Sequence, residues 1–370
     1  GDFFYPPPTG FLALCTKNLP NVDVIPSENF NAVIYTGNNS TNVITGVGFK
    51  SDLSWWKKRN STADHALIDS VRGVTKHLVS NTTTAEVTAS SGTELVSFDS
   101  DGFTLGATNQ TNSINGPSAS IVAWNWKAGG AAVSNTNGTI TSSVSANAAA
   151  GFSIVSYTGT GSNATVGHGL AQIPEAVIVK DRDDGSKNWN SQFIVIGNNY
   201  IDLNRQNPSY TGTTYFQNTA PTSTLFSIGT AGSSNENGDK FIAYCFNSVD
   251  GYSKVGSFIG NGNDDGPFVH CGFKPAFLLF RRSTETGSWF MFDNARGTTY
   301  NVSGTNFDNV RDNKLNADAN YAEDADSSWN IDFVSNGFKL RSPHVYMNGN
   351  NLTHIFIAFA ENPFKHSTAH

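Results

Sequence analysis

One pattern recurs along this chain: a tight turn, a short apolar run, and basic residues at the end of the run. It is clearest at Gly272–Ser283, GFKPAFLLFRRS, where Ala276–Phe280 is continuously apolar. A run of this kind reads as a strand covered on both faces. Pro275 cannot donate a ladder hydrogen bond, which places it at the strand's start. Arg281 and Arg282 are expected to end the run at solvent. GFKSDLSWWKKR (Gly48–Arg59) and GLAQIPEAVIVKDR (Gly169–Arg182) repeat the device, with Lys57 and Lys180 at the basic exits. Closing strands recur as well: IVAWNW (Ile121–Trp126), FIAYCF (Phe241–Phe246) and IFIAF (Ile355–Phe359), aligned here on Ala123, Ala243 and Ala358.

A recurrence of about 110 residues marks whole domains rather than solenoid rungs of about 20–50. Helical periodicity is almost absent. Each block holds several short strands between Gly/Asn turns, the pattern of a β-sandwich or jelly roll. The expected class is all-β, with three internal repeats. Residues 1–30 read as an extended segment and linker, with a stiff Pro6–Pro8 run. Repeat one covers 31–130, and 131–151 is a small-residue linker or edge strand. Repeat two covers 152–253 and repeat three 254–370. FDSDGFTL (98–105) and FVSNGFKL (333–340) read as matching hairpins. Thr224–Gly229 stands at their place in repeat two without the Asp-Gly turn.

Composition agrees with a β-rich surface protein. Charged residues are 14% of the 370, aromatics 12%, and Asn, Ser, Thr and Gly fill the loops. The net charge of −7 argues against nucleic acid as a partner, since phosphate binding needs concentrated Lys and Arg. No apolar run is long enough to cross a membrane as a helix. Cys15, Cys245 and Cys271 are too few and odd in number for a disulfide framework. Cys245 reads as a small buried hydrophobe.

Four sets of residues carry candidate chemistry. Asp181, Asp183 and Asp184 share one loop, and Asp264 and Asp265 another. Oxygen ligands on a loop suit Ca²⁺, although no EF-hand spacing is present; a solvated Asp/Asn/Gly turn is the competing reading. Trp55 and Trp56 point to opposite faces of a strand, so one of them is a candidate sugar-stacking platform. Trp124 and Trp126 share a face and read as core. Asp69–Gly73 (DSVRG) and Asp293–Gly297 (DNARG) share D-x-x-R-G. A bidentate contact of Arg72 with Asp69, and of Arg296 with Asp293, would pin a hairpin. Finally, Asp64, His65, His168 and His270 are potential acid–base groups, but no G-x-S-x-G, H-E-x-x-H or C-x-x-C accompanies them. Asp332 and Glu361 show no visible partner for a glycosidase pair. No catalytic residue is assigned.

The motifs YTGN, DSVRG, FDSDGFTL, AWNWKAGG, VGHGL, GYSKVGSFIGNGNDDGPFVHCGF and FAENPFK resemble a domain of unknown function. That domain recurs in large virion proteins of marine tailed phages, including cyanophages and phages of abundant ocean bacteria. The resemblance covers nearly all of 31–365. The segment YPPPTGFLALCTKNLP looks like the end of an upstream SPRY or concanavalin-like domain. The resemblance implies a structural protein exposed on the virion, such as a tail fibre or tail-associated protein; with no catalytic motif in the chain, the expected role is a non-enzymatic adhesin that attaches to host surface glycan or protein. A capsid decoration or head fibre, and a glycan-degrading tail spike, are the alternatives. It also implies other virion proteins and further copies of the chain, as in a trimer, as partners.

Overall fold

A computed structural model of the chain describes residues 23–108, 114–296 and 310–363. Among them, strands dominate; the helices are two four-residue α-helices, Gly232–Asn235 and Val345–Asn348, and two 3-10 turns, Pro26–Glu28 and Ser327–Trp329. The strands form three β-sandwiches, each a large antiparallel sheet backed by a smaller one.

In each large sheet the same three strands lie side by side. The first strands are Phe30–Thr36, Phe152–Thr158 and Ser253–Ile259. The closing strands are Ser120–Trp126, Lys240–Phe246 and Thr353–Pro363. The central strands are Leu53–Lys58, Ala176–Asp181 and Phe273–Arg282. The closing strand always lies between the other two. Beyond the central strand each sheet continues through Ala66–Asp69 and Lys76–Leu78, Asn190–Phe193 and Tyr200–Asp202, or Phe290–Asp293 and Asn313–Asn316. Residues 131–151 are not a free linker. Val133–Asn135 and Ser142–Asn147 add two strands to the outer edge of the second large sheet.

Strand alternation explains why the central runs are apolar on both faces. In Leu53–Lys58, Trp56 faces the small sheet of its own sandwich, where it packs with Ile44, Phe103 and Leu105. Leu53 and Trp55 face the other way, into a core shared by all three sandwiches. That shared core takes Trp124 and Trp126 from the first unit, Tyr244 and Phe246 from the second, and Phe277, Leu279 and Phe359 from the third. Each large sheet is therefore covered twice, once locally and once centrally. An apolar cavity of about 30 Å³ remains among these rings, lined by Trp55, Trp126, Ile178, Trp189, Phe246 and Phe359 among others.

Register corrects three sequence expectations. The residue opposite the first strand's Val33 and Val155 is Ala123 and Ala243, but in the third unit Gly256 faces Phe356, not Ala358. A Cβ on Gly256 would lie 2.6 Å from the Phe356 ring, so small and large have exchanged strands and the volume is conserved. Pro275 lies inside its strand, where the register shifts on either side of it form a bulge that absorbs the missing donor. The basic exits do not reach solvent: Lys57, Lys180 and Arg281 are all fully buried and Arg282 nearly so. Lys57 and Arg281 reach carbonyls of the neighbouring sandwich, at Asn320 and Asp202, whereas Lys180 reaches Asp184 in its own loop; each also bonds the next residue's carbonyl, on Lys58, Asp181 and Arg282 respectively.

The glycine turns after the first strands, Thr36-Gly37, Thr158-Gly159 and Ile259-Gly260, also repeat in space. Gly37, Gly159 and Gly260 each bring backbone against backbone, so that a Cβ would fall 2.1–2.3 Å from the carbonyl oxygens of Gly116, Glu236 and Gly349. A buried amide clips each turn. Asn115, Asn235 and Asn348 accept the N–H of Asn38 (3.1 Å), Thr160 (2.7 Å) and Asn261 (2.8 Å).

Candidate functional site

The two D-x-x-R-G segments lie at boundaries between sandwiches. Asp69 Oδ1 accepts the backbone N–H groups of Val71 and Arg72, while Oδ2 accepts Arg72 Nε at 2.6 Å and the Tyr244 hydroxyl at 2.8 Å. Asp293 repeats this with Ala295, Arg296 Nε (2.6 Å) and Trp124 Nε1 (2.8 Å). The arginine contact is through Nε alone, not the bidentate fork expected, because the second carboxylate oxygen is committed to the turn. The remaining guanidinium nitrogens reach backbone carbonyls of the same hairpin and a second carboxylate, Glu86 or Glu323. Each glutamate in turn takes a bidentate arginine from the adjoining unit, Arg182 or Arg59. These segments are structural latches.

The third boundary is built differently at the same register. Leu67, Ser191 and Met291 are equivalent by pairing, so FIVIG (193–197) occupies the place of DSVRG. Phe193 and Ile196 replace the aspartate and arginine, and Ile357 replaces the Tyr244 or Trp124 donor. The hydrogen bond from Ser209 N to Ser283 O (2.8 Å) stands where Glu86 N bonds Arg182 O and Glu323 N bonds Arg59 O. Arg281 binds across this boundary instead, to the carbonyls of Asp202, Arg205, Gln206 and Asn207. Burial pulls its pKa down to about 10. The three boundaries join first to second, second to third and third to first, as around a threefold axis.

The predicted sugar platform is not at Trp55 and Trp56. Trp55 donates Nε1–H to His65 Nδ1 at 2.8 Å within the shared core, and Trp56 is wholly enclosed. The opposite faces inferred for them are real, but both faces of the sheet are covered. His65 Nε2 bonds the Asn316 carbonyl at 2.8 Å, and burial pulls its pKa down to about 3. His168 is likewise buried, bonded to Thr222 O and Leu170 N, while His270 is exposed.

The aspartate loops do not converge on a cation. Asp181 is buried and accepts the N–H groups of Asp183 and Asp184; burial raises its pKa. Asp183 accepts Lys240 N, and Asp184 holds Ser186 N and Lys187. Asp265 pairs outward with Lys339 at 2.7 Å, and Asp264 is exposed. Among the described residues no three His, Cys, Asp or Glu side chains are grouped to hold a metal. Asp332 is held by Arg341 and Glu361 by Lys274.

Surface chemistry collects instead at one corner of each sandwich. The corner lies between the outer strand of the large sheet and the segment that precedes the small sheet. In the third unit Lys314 Nζ lies 4.1 Å from the Trp329 ring centre, His344 stands 4.6 Å from Trp329, and Tyr346 5.3 Å from His344. Arg282 braces the inner face of Tyr346 at 4.4 Å, leaving that ring 38% exposed. Of the seven tryptophans, Trp329 alone is only half-buried, the other six being buried. In the second unit the same place holds Tyr200, with Tyr215 at 4.1 Å and Tyr210 at 5.4 Å. In the first it holds His77 and Glu94, 3.5 Å apart, beside a cleft of about 510 Å³. The equivalence rests on pairing: Leu78, Ile201 and Leu315 align. The carbonyls of Glu94, Tyr215 and Asn330 accept the N–H after the small-sheet strand, from Gly106, Gly229 and Arg341.

A domain of unknown function, DUF7483, matches residues 25–363. The chain belongs to the DUF7483 family. The match runs unbroken across all three sandwiches, so the family's unit is the whole assembly and not one sandwich. No curated protein and no solved structure matches this DUF7483 chain. Within it, the corner residues carry little sequence signal. Trp329 ends one short turn while His344 and Tyr346 belong to another, at the start of the Val345–Asn348 helix, with no motif to join them.

Proposed function

We propose that this DUF7483 chain is a structural and adhesive protein of a phage virion, exposed on the particle, that attaches to host surface glycan through exposed aromatic corners. The observation that carries this is the Trp329–His344–Tyr346 ring set, held rigid by Arg282 and Lys314 on an otherwise core-locked β framework. A flat ring with a free face suits the apolar face of a sugar, and the flanking Asp324, Asp326 and Arg341 offer partners for its hydroxyls. Three sandwiches in one chain supply the threefold packing that a trimer of single domains would make. The reading therefore favours assembly with other virion proteins over a homotrimer. Binding of the purified chain to host cells and to their extracted polysaccharide tests it: Tyr346→Ala is expected to lower binding at least tenfold with the fold intact. Undiminished binding by that variant, or location of the chain inside the particle by electron cryomicroscopy, overturns the reading.

A glycan-cleaving spike is the second reading. It is favoured by the cleft of the first unit, where Asp64 and Glu94 both line the wall and burial raises the Glu94 pKa. Release of reducing ends from host polysaccharide, lost in Glu94→Gln, would distinguish it.

A further inference from the structure

We propose that the cleft beside His77 and Glu94 is a second binding site, for a single neutral sugar ring or a short polyhydroxylated chain, separate from the Tyr346 platform. At the equivalent corner of the other two sandwiches, rings fill the space: Tyr215 lies 4.1 Å from Tyr200, and Lys314 sits 4.1 Å from Trp329. In the first sandwich the rings are missing and the space is open. Its volume, about 510 Å³, lies within the range of small-molecule sites.

Polar groups are left waiting at its wall. His77 Nδ1 is buried without a hydrogen bond, and its 3.5 Å separation from Glu94 Oε2 is too long for a good one. A ligand hydroxyl can bond both groups at once, donating to the Glu94 carboxylate and accepting from the His77 Nδ1–H tautomer. Thr84, Thr88, Ser90 and Thr93 add hydroxyls along the wall, and Asp64 adds a second carboxylate. Lys76, the nearby ammonium, is engaged by Thr88 at 2.6 Å, and Arg72 is buried behind His77 in its own latch. Among the described residues the cleft is lined by carboxylates, hydroxyls and imidazoles and by no Lys or Arg side chain, which selects against anions and for neutral hydroxyl donors. The backbone of Glu94 is held at φ +53°, a left-handed conformation unfavourable for a glutamate. Such conformations persist where the surroundings fix them, often at ligand sites.

The test is NMR of the full chain, following the His77 imidazole, with D-glucose, D-galactose, D-mannose and N-acetylglucosamine as probes. At least one sugar is expected to shift the His77 signals in both the native chain and Tyr346→Ala. The dissociation constant should rise about tenfold or more in Glu94→Gln, and the response should vanish in Thr93→Trp, which fills the cleft as rings fill its counterparts. Thermal unfolding verifies that each variant is folded. The proposal is overturned if no probe moves the His77 signals, or if Thr93→Trp responds as the native chain does. Because Tyr346→Ala leaves the cleft intact, loss of platform binding and loss of cleft binding are read separately.

Discussion

The indole N–H of Trp124 is hydrogen-bonded to the carboxylate of Asp293 at 2.8 Å, joining the closing strand of the first sandwich to a hairpin of the third. Tyr244 makes the same contact with Asp69 between the second and the first. Both donors project into the shared core, where water cannot replace them. Trp124→Phe or Tyr244→Phe leaves the aspartate oxygen with the arginine Nε alone. Each is expected to lower stability by about 1–3 kcal/mol. Denaturant unfolding measures this, and a midpoint unchanged from the native chain would mean the latch contributes nothing.

The second sandwich shows how the same hairpin is made without charge. Removing one partner of a buried pair is costly, about 3–5 kcal/mol, whereas an apolar replacement of both is often neutral. Arg72→Met alone is therefore expected to be severely destabilising. The triple variant Asp69→Phe, Arg72→Ile, Tyr244→Ile, which copies Phe193, Ile196 and Ile357, is expected to recover most of the loss. Equal midpoints for the single and triple variants would sink this account.

Acid should unfold the protein through its buried histidines. The pKa of His65 is pulled down to about 3 and that of His354 to about 4, chiefly by burial, against about 6.5 in an unfolded chain. Below pH 6.5 the unfolded chain binds the proton first. Stability is fully present above that pH and falls toward pH 4, with a slope of about 1.4 kcal/mol per pH unit for each group. Asp318 acts the other way: burial raises it to about 6, so the folded chain takes up its proton first. Asp318→Asn should steepen the acid loss and His65→Gln should flatten it. Urea midpoints followed from pH 7 to pH 4 decide.

Glu94 occupies a backbone conformation suited to glycine. Glu94→Gly is expected to preserve or raise stability, by up to about 1 kcal/mol, while removing the carboxylate from the cleft. A marked drop in melting temperature would show that the side chain is a packing element instead.

Much of the fold is legible in the residues alone. The absence of helical periodicity and the short strands between Gly/Asn turns point to an all-β chain. The recurring turn, apolar run and closing strand locate the central strands of all three large sheets. The exchange of Trp124 and Trp126 for other apolar residues in the later closing strands marks them as core. Alternation also places Trp55 and Trp56 on opposite faces.

What alternation cannot tell is what lies against each face. Only the packing of three sheets around one core buries Trp55 as well as Trp56, encloses Lys180, and turns Lys57 and Arg281 from solvent exits into buried contacts between sandwiches. FIVIG shares no polar residue with DSVRG, so their equivalence appears only when strand pairing sets Phe193 level with Asp69 and Asp293. The corner chemistry is hidden for the same reason. His77 and Glu94, Tyr200 and Tyr215, and Lys314 and Trp329 are brought together by sheet register across loops of unrelated sequence. The chain's pattern determined the strands; the covering of their second face decided which side chains were left for a ligand.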